Sequence, residues 1–425
     1  MKVLIVNTSE NTGGAAVAAR RLMEALSNNG VQAKMLVAEK TSDSIRVAGM
    51  QHSLAKRWHF LWERWCIFCN LRFSRKHLFD IDIANSGFDI TQTAEFREAD
   101  VVHIHWVNQG MLSLNTVRKI LRSGKPVVWT MHDLWPATAL CHYARTCHKF
   151  ITGCHDCPLL PGRGITGDLA RRIWNRKKAL YRQSNIHFVA CSRWLEGEAK
   201  QSGLMKGLKV TAIPNAIDTQ TFRPCDKKEV RQRLGLPEDK RILLFVSQKV
   251  TDERKGMTFF IEAMQRLREC HPDLCDNTVV ALLGGNCDEV AAQIPLPTFP
   301  LGYVSDEKSI ASIYNAADVY VLPSLEDNLP NTIMEAMACG VPCVGFRVGG
   351  IPEMIDHQKN GYVARFKDSH DLAEGIFWTL NATAGSDSLS RNAVTKVAQN
   401  YSQQSVAIRY TEVYNELIAL KHYII

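Results

Sequence analysis

The feature that most constrains the fold is a rhythm in which short apolar runs alternate with amphipathic helical stretches. This rhythm is typical of a mainly parallel sheet whose faces are covered by helices. It begins near residue 3 and restarts after residue 224, so the chain is predicted to form two α/β units. The predicted strands are residues 3–6, 32–37, 101–105, 126–130, 187–191 and 210–213 in the first series, and 241–247, 278–284, 318–323 and 342–345 in the second.

Two domains are also what the length of 425 residues favours, because one hydrophobic core rarely organises so long a chain. The segment 213–218 carries Pro-Asn turn chemistry and suits a linker. We predict domains at 1–222 and 223–400, followed by a helix in 401–425. The apolar residues of this helix have a spacing that predicts one buried face: Val406, Ile408, Val413, Tyr414, Leu417 and Ile418.

Composition places the chain among folded globular proteins, with 46% apolar and 22% charged residues. The net charge of +8 suits an anionic partner without selecting one. No run of 18 apolar residues is present, and the first apolar run is too short for a signal sequence. Because 13 cysteines are an odd number that favours reduced thiols, the expected location is the cytoplasm.

The loop between residues 323 and 330, which joins a strand to a helix, is a candidate anion site. Backbone N–H groups near Asn331 and Thr332, together with the positive end of the helix dipole, would favour a diphosphate. Glu335, one turn inside the helix, could accept two ribose hydroxyls. The alternative is that Glu335 only complements the helix dipole.

This region resembles the nucleotide-sugar signature of the GT4 family of retaining glycosyltransferases. The resemblance implies that Glu335 binds the ribose and that Asp327, which is separated from Glu335 by seven residues, lies near the donor sugar. The family has Glu at the position of Asp327, so the shorter side chain must lie closer to the sugar or leave that contact to Glu326. The matching residues are Pro323-Ser324, Asp327, Glu335, Ala336-Met337-Ala338-Cys339-Gly340-Val341-Pro342-Cys343-Val344 and Gly349-Gly350-Ile351-Pro352-Glu353.

Cations for the departing diphosphate are expected after the first strand of the second domain. Held there, they would stabilise the charge that develops on the leaving group without a metal. The resemblance assigns this role to Lys255, which precedes Gly256. The family's Arg at the strand end is replaced here by Gln248, and Arg254 could supply the missing charge. The alternative is an exposed basic turn.

In the first domain, Gly13 and Gly14 precede a helix at a point where the backbone can approach a phosphate or sugar closely. The loop lacks Gly-x-Gly-x-x-Gly, which disfavours a dinucleotide site. The resemblance places both glycines beside the donor diphosphate and the acceptor, and His132 against the donor sugar. A buried structural histidine is the alternative for His132. His103 and His105 alternate with apolar residues, and we interpret them as core or supporting residues.

Four cysteines follow His132 closely: Cys141, Cys147, Cys154 and Cys157. A Cys-x-x-Cys pair with two more thiols nearby is a candidate structural zinc site that would order the loop. Free thiols are the alternative. A catalytic zinc is disfavoured, because four thiolates would leave no open coordination position.

The segment 52–79 is rich in both cations and aromatic residues. Leu54, Trp58, Leu61, Trp62, Trp65 and Cys69 fall on one helical face, which is typical of a helix that lies at a membrane surface. The alternative is an amphipathic helix packed on its own domain. No nucleic-acid motif accompanies the segment, so a nucleic-acid partner is not expected.

By resemblance the chain has a GT-B fold, in which two Rossmann-like domains face each other across a cleft and a C-terminal helix crosses back to the first domain. The implied reaction moves a hexose from a UDP- or GDP-sugar to a glycan or lipid-linked acceptor, with retention and without a metal cofactor. The implied setting is surface polysaccharide biosynthesis, in the cytoplasm or at the inner face of the plasma membrane. Two alternatives stay open: a sugar-nucleotide epimerase and a catalytically inactive glycan-assembly partner.

Overall fold

The computed structural model describes residues 1–50, 53–165, 167–182 and 184–424. The chain forms two compact units, one from Met1–Ala216 with Val406–Ile425 and one from Ile217–Ser405. The division lies inside the predicted linker and not at residue 222. Ile217 already belongs to the second unit, because its backbone N–H donates to the carbonyl oxygen of Tyr401 at 2.9 Å. His52, the first residue of the predicted segment 52–79, and Ile425, the last residue of the predicted segment 401–425, lie outside the described residues.

The first unit is built on a parallel sheet, which has seven strands among the described residues, in the order β3-β2-β1-β4-β5-β6-β7. All six strands predicted in this half coincide with observed ones, and β3 is too short to leave a periodic signal. The strands are β1 (Lys2–Ser9), β2 (Gln32–Glu39), β3 (Val47–Gly49), β4 (Val101–Ile104), β5 (Val127–Met131), β6 (His187–Ala190) and β7 (Lys209–Ala212). The helices are α1 (Gly14–Asn28), α2 (Ser53–Asn70), α3 (Ala94–Glu98), α4 (Leu114–Arg122), α5 (Lys149–Thr152), α6 (Leu169–Arg182) and α7 (Arg193–Gln201).

The second unit has a parallel sheet of six strands within the described part of the chain, in the order β10-β9-β8-β11-β12-β13. The four predicted strands are all present. The pattern does not predict β10 and β13, which are short and contain proline or glycine. The strands are β8 (Arg241–Lys249), β9 (Thr278–Gly285), β10 (Thr298–Pro300), β11 (Val319–Leu322), β12 (Cys343–Phe346) and β13 (Gly361–Ala364). The helices are α8 (Lys227–Leu234), α9 (Met257–Cys270), α10 (Pro272–Asp276), α11 (Cys287–Ala291), α12 (Glu307–Ala316), α13 (Asn331–Ala338), α14 (Ile351–Met354), α15 (Ser369–Gly385) and α16 (Ser388–Asn400).

Both sheets follow the 3-2-1-4-5-6 strand order of a Rossmann-like unit. The order reverses between β1 and β4 in the first sheet and between β8 and β11 in the second. At such a reversal the connections diverge to opposite faces and leave a crevice outside the carboxyl ends of the strands, where ligands bind. In each unit, the loops after the two strands at the reversal are therefore expected to bind ligand.

The last helix, α17 (Gln403–Ile424), begins in the second unit and ends in the first. Its buried face consists of Val406, Ala407, Tyr410, Val413, Tyr414 and Leu417. The prediction that Ile408 belongs to this face is wrong, since Ile408 is 50% exposed. Two residues along a helix turn through about 200°, so Ile408 lies opposite Val406. Among the described residues, no helix is both long and apolar enough to cross a membrane.

Candidate active site

A glycine turn after β8 brings two distant loops of the second unit into contact. Gly256 has φ 75°, and a Cβ at this position would lie 1.9 Å from the carbonyl oxygen of Pro323. The backbone N–H of Leu325 donates to the carbonyl oxygen of Arg254 at 2.7 Å. Only glycine fits this close approach, so the loop after β8 is held directly against the loop after β11.

This contact pairs the two residues that the sequence assigns to the diphosphate and to the sugar. The ammonium group of Lys255 donates to Oδ2 of Asp327 at 2.6 Å, and Ser324 Oγ donates to the same oxygen at 3.2 Å. Both charged side chains are mostly buried, with 24% and 14% of their surface exposed. The pair lies at the carboxyl edge of β8 and β11, where the strand order reverses.

Arg254, the second predicted cation, makes its ion pair inside its own turn. Its guanidinium Nη2 lies 2.8 Å from Oδ2 of Asp252, and the side chain is 44% exposed. Asp252 also accepts a hydrogen bond from the backbone N–H of Arg254 and so caps the turn. The cation that the structure places against Asp327 is therefore Lys255.

A second glycine contact fixes the loop after β12 against Asp327. Gly349 has φ 55°, and a Cβ there would lie 1.6 Å from the carbonyl oxygen of Asp327. Gly350 donates its backbone N–H to the carbonyl oxygen of Asn328 at 2.7 Å. The two glycines of the motif thus define the backbone position of Asp327.

Helix α13 carries Glu335, which is 7% exposed. Its carboxylate Oε2 accepts a hydrogen bond from the hydroxyl of Tyr314 on α12 at 3.0 Å. Asn331 and Thr332 occupy the first positions of α13, where backbone N–H groups have no partner within the helix ladder. The helix N-terminus, the buried carboxylate and the Lys255–Asp327 pair all belong to one unit.

In the first unit, the loop after β1 leads to Gly13, which has φ 90° and precedes α1. The loop is held by Glu10, whose buried carboxylate accepts hydrogen bonds from the backbone N–H groups of Thr41 and Ser42 at 2.6 and 3.0 Å. Burial acts to raise the pKa of Glu10, but the hydrogen bonds from these two residues outweigh it and lower the pKa. Gly13 therefore lies at the end of a fixed loop at the carboxyl edge of this sheet, and Gly14 is the first residue of α1.

His132 follows β5 and lies in a row of imidazole rings. Its Nε2 is 2.9 Å from Nδ1 of His105, and its Nδ1 is 3.4 Å from Sγ of Cys191. Burial lowers the pKa of His132 to about 4, although Asp133 acts in the opposite direction. His103 is buried on the same face, between the hydroxyls of Tyr414 and Thr130. His132 is therefore neutral at physiological pH.

A buried chain of charges continues from the residue next to His132. Asp133 accepts from the ring nitrogens of Trp106 and His142 at 3.0 and 2.7 Å. The other ring nitrogen of His142 lies 2.6 Å from Asp82, which is paired with Arg64 of α2. Burial alone would lower the pKa of His142, but the carboxylates of Asp133 and Asp82 raise this pKa to about 10. This chain ties the loop after β5 to α2.

Comparison with known families agrees with this geometry. A family model described as Glycosyltransferase Family 4 matches residues 12–221, and one described as Glycosyl transferases group 1 matches residues 240–382. Together the two models cover most of both units. The chain belongs to the family 4, group 1 glycosyltransferases.

Relatives of this chain include the D-inositol 3-phosphate glycosyltransferase 2 of Catenulispora acidiphila, which is 29% identical over 224 residues. The aligned region covers 49% of this chain and 51% of the relative. The chain spans about half the length of the curated relatives that it matches in this way.

Two solved structures share its fold over nearly the whole chain. Sucrose-phosphate synthase from Thermosynechococcus elongatus has a TM-score of 0.67 at 18% identity, with 99% of this chain and 100% of that chain covered. HepE from Anabaena, solved in complex with UDP-glucose, has a TM-score of 0.63 at 16% identity, with 98% and 100% covered. The predicted GT-B fold is confirmed.

The glycosyltransferase also places its four loop cysteines near one another. Burial raises the pKa of Cys141 to about 12 and of Cys154 to about 11, and the neighbouring thiols act in the same direction. Within the described residues, however, the group whose ligand atoms all lie within 4.8 Å of one another is His155, Asp156 and Asp168. The zinc site at the cysteines stays a prediction.

Several residues that build the site leave no trace in the sequence pattern. Tyr314 precedes Glu335 by 21 residues and lies on another helix. Asp82 and Arg64 lie in segments without a motif. The sequence analysis identifies His132 by resemblance, and that resemblance does not extend to His142. These contacts arise only when the elements pack.

Proposed function

We propose that this protein is a retaining glycosyltransferase that moves a hexose from a nucleotide diphosphate sugar to an acceptor. The observation that carries the proposal is the Lys255–Asp327 pair at the reversal point of the second sheet. A cation held there can move from Asp327 to the diphosphate as negative charge develops on the leaving group. Family membership supports the same reaction class.

The donor would be bound by the second unit, with a UDP- or GDP-sugar as its chemical class. The N-terminus of α13 around Asn331 and Thr332 suits the diphosphate, and the buried carboxylate of Glu335 suits the ribose hydroxyls. HepE was solved with UDP-glucose, which supports a UDP-sugar as the first donor to test. The neutral ring of His132 could hydrogen-bond a sugar hydroxyl if that hydroxyl replaced His105 or Cys191 as the partner of one ring nitrogen.

The reaction requires no nucleophile from the protein in this proposal. The leaving phosphate itself helps to deprotonate the acceptor on the face it leaves from, and the anomeric configuration is retained without a metal. We propose a glycan or lipid-linked acceptor, the assembly of a surface polysaccharide as the setting, and the cytoplasmic side of the membrane as the location.

The test is a transfer assay with purified protein, a panel of UDP- and GDP-sugars and candidate glycan acceptors. The expected result is acceptor-dependent release of nucleoside diphosphate that Lys255→Ala and Glu335→Gln strongly reduce. Donor conversion without an acceptor would instead identify an epimerase. Donor binding without turnover across the panel would identify an inactive assembly partner.

We also propose a structural zinc at Cys141, Cys147, Cys154 and Cys157. Cys154 and Cys157 have the two-residue spacing that is common among zinc ligands, and the positive φ of 42° at Asp156 bends the backbone between them. Metal analysis of protein purified without chelator should find about one zinc per chain. Cys154→Ser should lose the metal, whereas Asp168→Asn and the exposed Cys270→Ser should keep it. A content far below one, or loss in Asp168→Asn alone, contradicts the proposal.

A further inference from the structure

Helix α2 and the loop after it expose an unusual concentration of large apolar side chains. The exposed fraction is 62% for Trp58, 43% for Trp62 and 54% for Trp65. These side chains share one face with Leu54 and Leu61, and the following loop adds Phe73 and Phe79. We refer to Leu54, Trp58, Leu61, Trp62, Trp65, Phe73 and Phe79 as the aromatic face. Contiguous exposed apolar surface of this kind marks an interaction site.

The rings of the aromatic face pack against one another and against Phe68 in the protein alone. Trp58 and Trp62 stack with centroids 5.7 Å apart and planes 14° apart. The ring centroid of Phe68 lies 6.1 Å from that of Trp65 and 5.6 Å from that of Phe73. The ring centroids of Trp65 and Phe73 are 6.4 Å apart. Such packing reduces the side-chain entropy that binding would otherwise cost.

The opposite side of α2 is fixed in the first unit, so the helix cannot turn to bury the aromatic face. The carboxylate Oε1 of Glu63 accepts from the backbone N–H groups of Ile83 and Ala84 at 3.1 and 2.7 Å. Arg64 pairs with Asp82 and donates to the carbonyl oxygen of Leu78 at 2.7 Å. Ile67 is fully buried. The alternative that this helix packs its aromatic face on its own domain is excluded.

The exposed charges of residues 53–79 are cations, and the carboxylates next to this segment are paired, Glu39 with Lys56 and Asp80 with His77 and Arg145. Arg57, Arg72, Arg75 and Lys76 are exposed. The only carboxylate in residues 53–79 is Glu63, and it is buried. A surface that combines apolar rings with cations complements an anionic lipid bilayer, where indole rings occupy the headgroup region and each cation strengthens binding. A second copy of the chain would present the same cations and be repelled.

We propose that the aromatic face of α2 docks on an anionic lipid bilayer, with the tryptophans in the headgroup region and Arg57, Arg72, Arg75 and Lys76 against the lipid phosphates. This contact is a surface attachment. It is independent of the transfer reaction, because binding to a vesicle requires no turnover. It would bring the enzyme to the surface at which a lipid-linked acceptor is presented.

The experiment is co-sedimentation of the full-length protein with vesicles of phosphatidylcholine alone and of phosphatidylcholine with about one third phosphatidylglycerol. The wild type should bind the anionic vesicles at least about tenfold better, and salt should weaken that binding. Trp58→Ser/Trp62→Ser/Trp65→Ser should reduce binding by about tenfold or more. Arg72→Gln/Arg75→Gln/Lys76→Gln should remove the preference for anionic lipid.

The matched controls alter exposed residues elsewhere. Ile45→Ser/Tyr303→Ser removes apolar surface and Lys206→Gln/Lys359→Gln removes cations, and both should bind vesicles as the wild type does. Thermal unfolding of each variant verifies that it folds. Vesicle binding that survives in the tryptophan variant would overturn the proposal. So would a dimer in sedimentation velocity that the same variant abolishes, since it would identify a second copy as the occupant.

Discussion

At the scale of single residues, the proposed transfer reaction depends on Lys255 and Asp327. Asp327 lies 2.6 Å from the ammonium group of Lys255, and in the proposed reaction the diphosphate takes the place of Asp327 when the donor binds. From the loop between β11 and α13, Asp327 thus fixes the position of the ammonium group of Lys255.

The first prediction separates these two roles. Lys255→Ala should lower donor affinity and reduce transfer by about a hundredfold or more, as expected for loss of one preorganised donor. Asp327→Asn should keep or increase the affinity for UDP, because the ammonium is released, while transfer falls. Calorimetry with UDP and a transfer assay measure both quantities. Lys249→Ala, an exposed cation at the end of the same strand, is the control; equal losses in all three variants would refute the assignment.

The second prediction concerns Glu335 and its buried partner Tyr314. Glu335→Gln should weaken nucleoside diphosphate binding by about tenfold to a hundredfold, because charged hydrogen bonds to the ribose are lost. Tyr314→Phe keeps the carboxylate of Glu335 but removes its hydrogen bond from Tyr314. It should therefore lower the free energy of unfolding while changing the affinity for nucleoside diphosphate less. If calorimetry shows that Glu335→Gln binds nucleoside diphosphate as tightly as the wild type does, Glu335 has a structural role and does not bind the ribose.

At the scale of elements, the buried chain from Arg64 through Asp82 and His142 to Asp133 connects α2 with the loop that holds His132. Removing one member of such a chain leaves an uncompensated buried charge. The helix that carries the aromatic face and the loop after β5 are therefore positioned by the same set of ionic contacts.

The third prediction uses the pH dependence of this region. Burial raises the pKa of Glu63 to about 7, Asp82 adds to the effect, and Arg64 opposes it. The folded protein then holds this proton more tightly than the unfolded chain does. The contribution of Glu63 to the free energy of unfolding is therefore greatest below about pH 4.5 and decreases as the pH rises towards 7. The decrease is at most about 1.4 kcal/mol per pH unit.

Urea unfolding at several pH values between 4.5 and 7.5 tests this dependence. Glu63→Gln keeps an oxygen for the N–H groups of Ile83 and Ala84 and should remove the loss that the wild type undergoes over this range. The exposed Glu98→Gln should keep the wild-type slope. An unchanged slope in Glu63→Gln would mean that another group titrates there.

At the scale of the whole molecule, the chain leaves the first unit at Ala216 and returns to it at Val406. The return is secured by hydroxyl groups of α17: Tyr414 bonds to His103 at 2.7 Å and Tyr410 to Thr130 at 2.9 Å. The core of the first unit thus contains residues from both ends of the chain, and it is completed only after the second unit has been traversed.

The fourth prediction tests that closure. Tyr414→Phe leaves the ring packing intact but removes the partner of a buried imidazole, so the free energy of unfolding should fall by about 1–3 kcal/mol. Chemical denaturation measures the change. Tyr303→Phe, at a residue that is 64% exposed, should be neutral, and an equal effect of both substitutions would contradict the argument.

The sequence by itself determined the ten predicted strands, the two α/β units and the motif that identifies the family. These features depend on neighbours within a few residues, where apolar periodicity and glycine or proline leave a local signal. The tertiary structure decided which groups meet: Lys255 with Asp327 across 72 positions and His103 with Tyr414 across 311. It also decided that the aromatic face of α2 is exposed. Periodicity predicts that a helix has an apolar face, but only packing decides what that face touches.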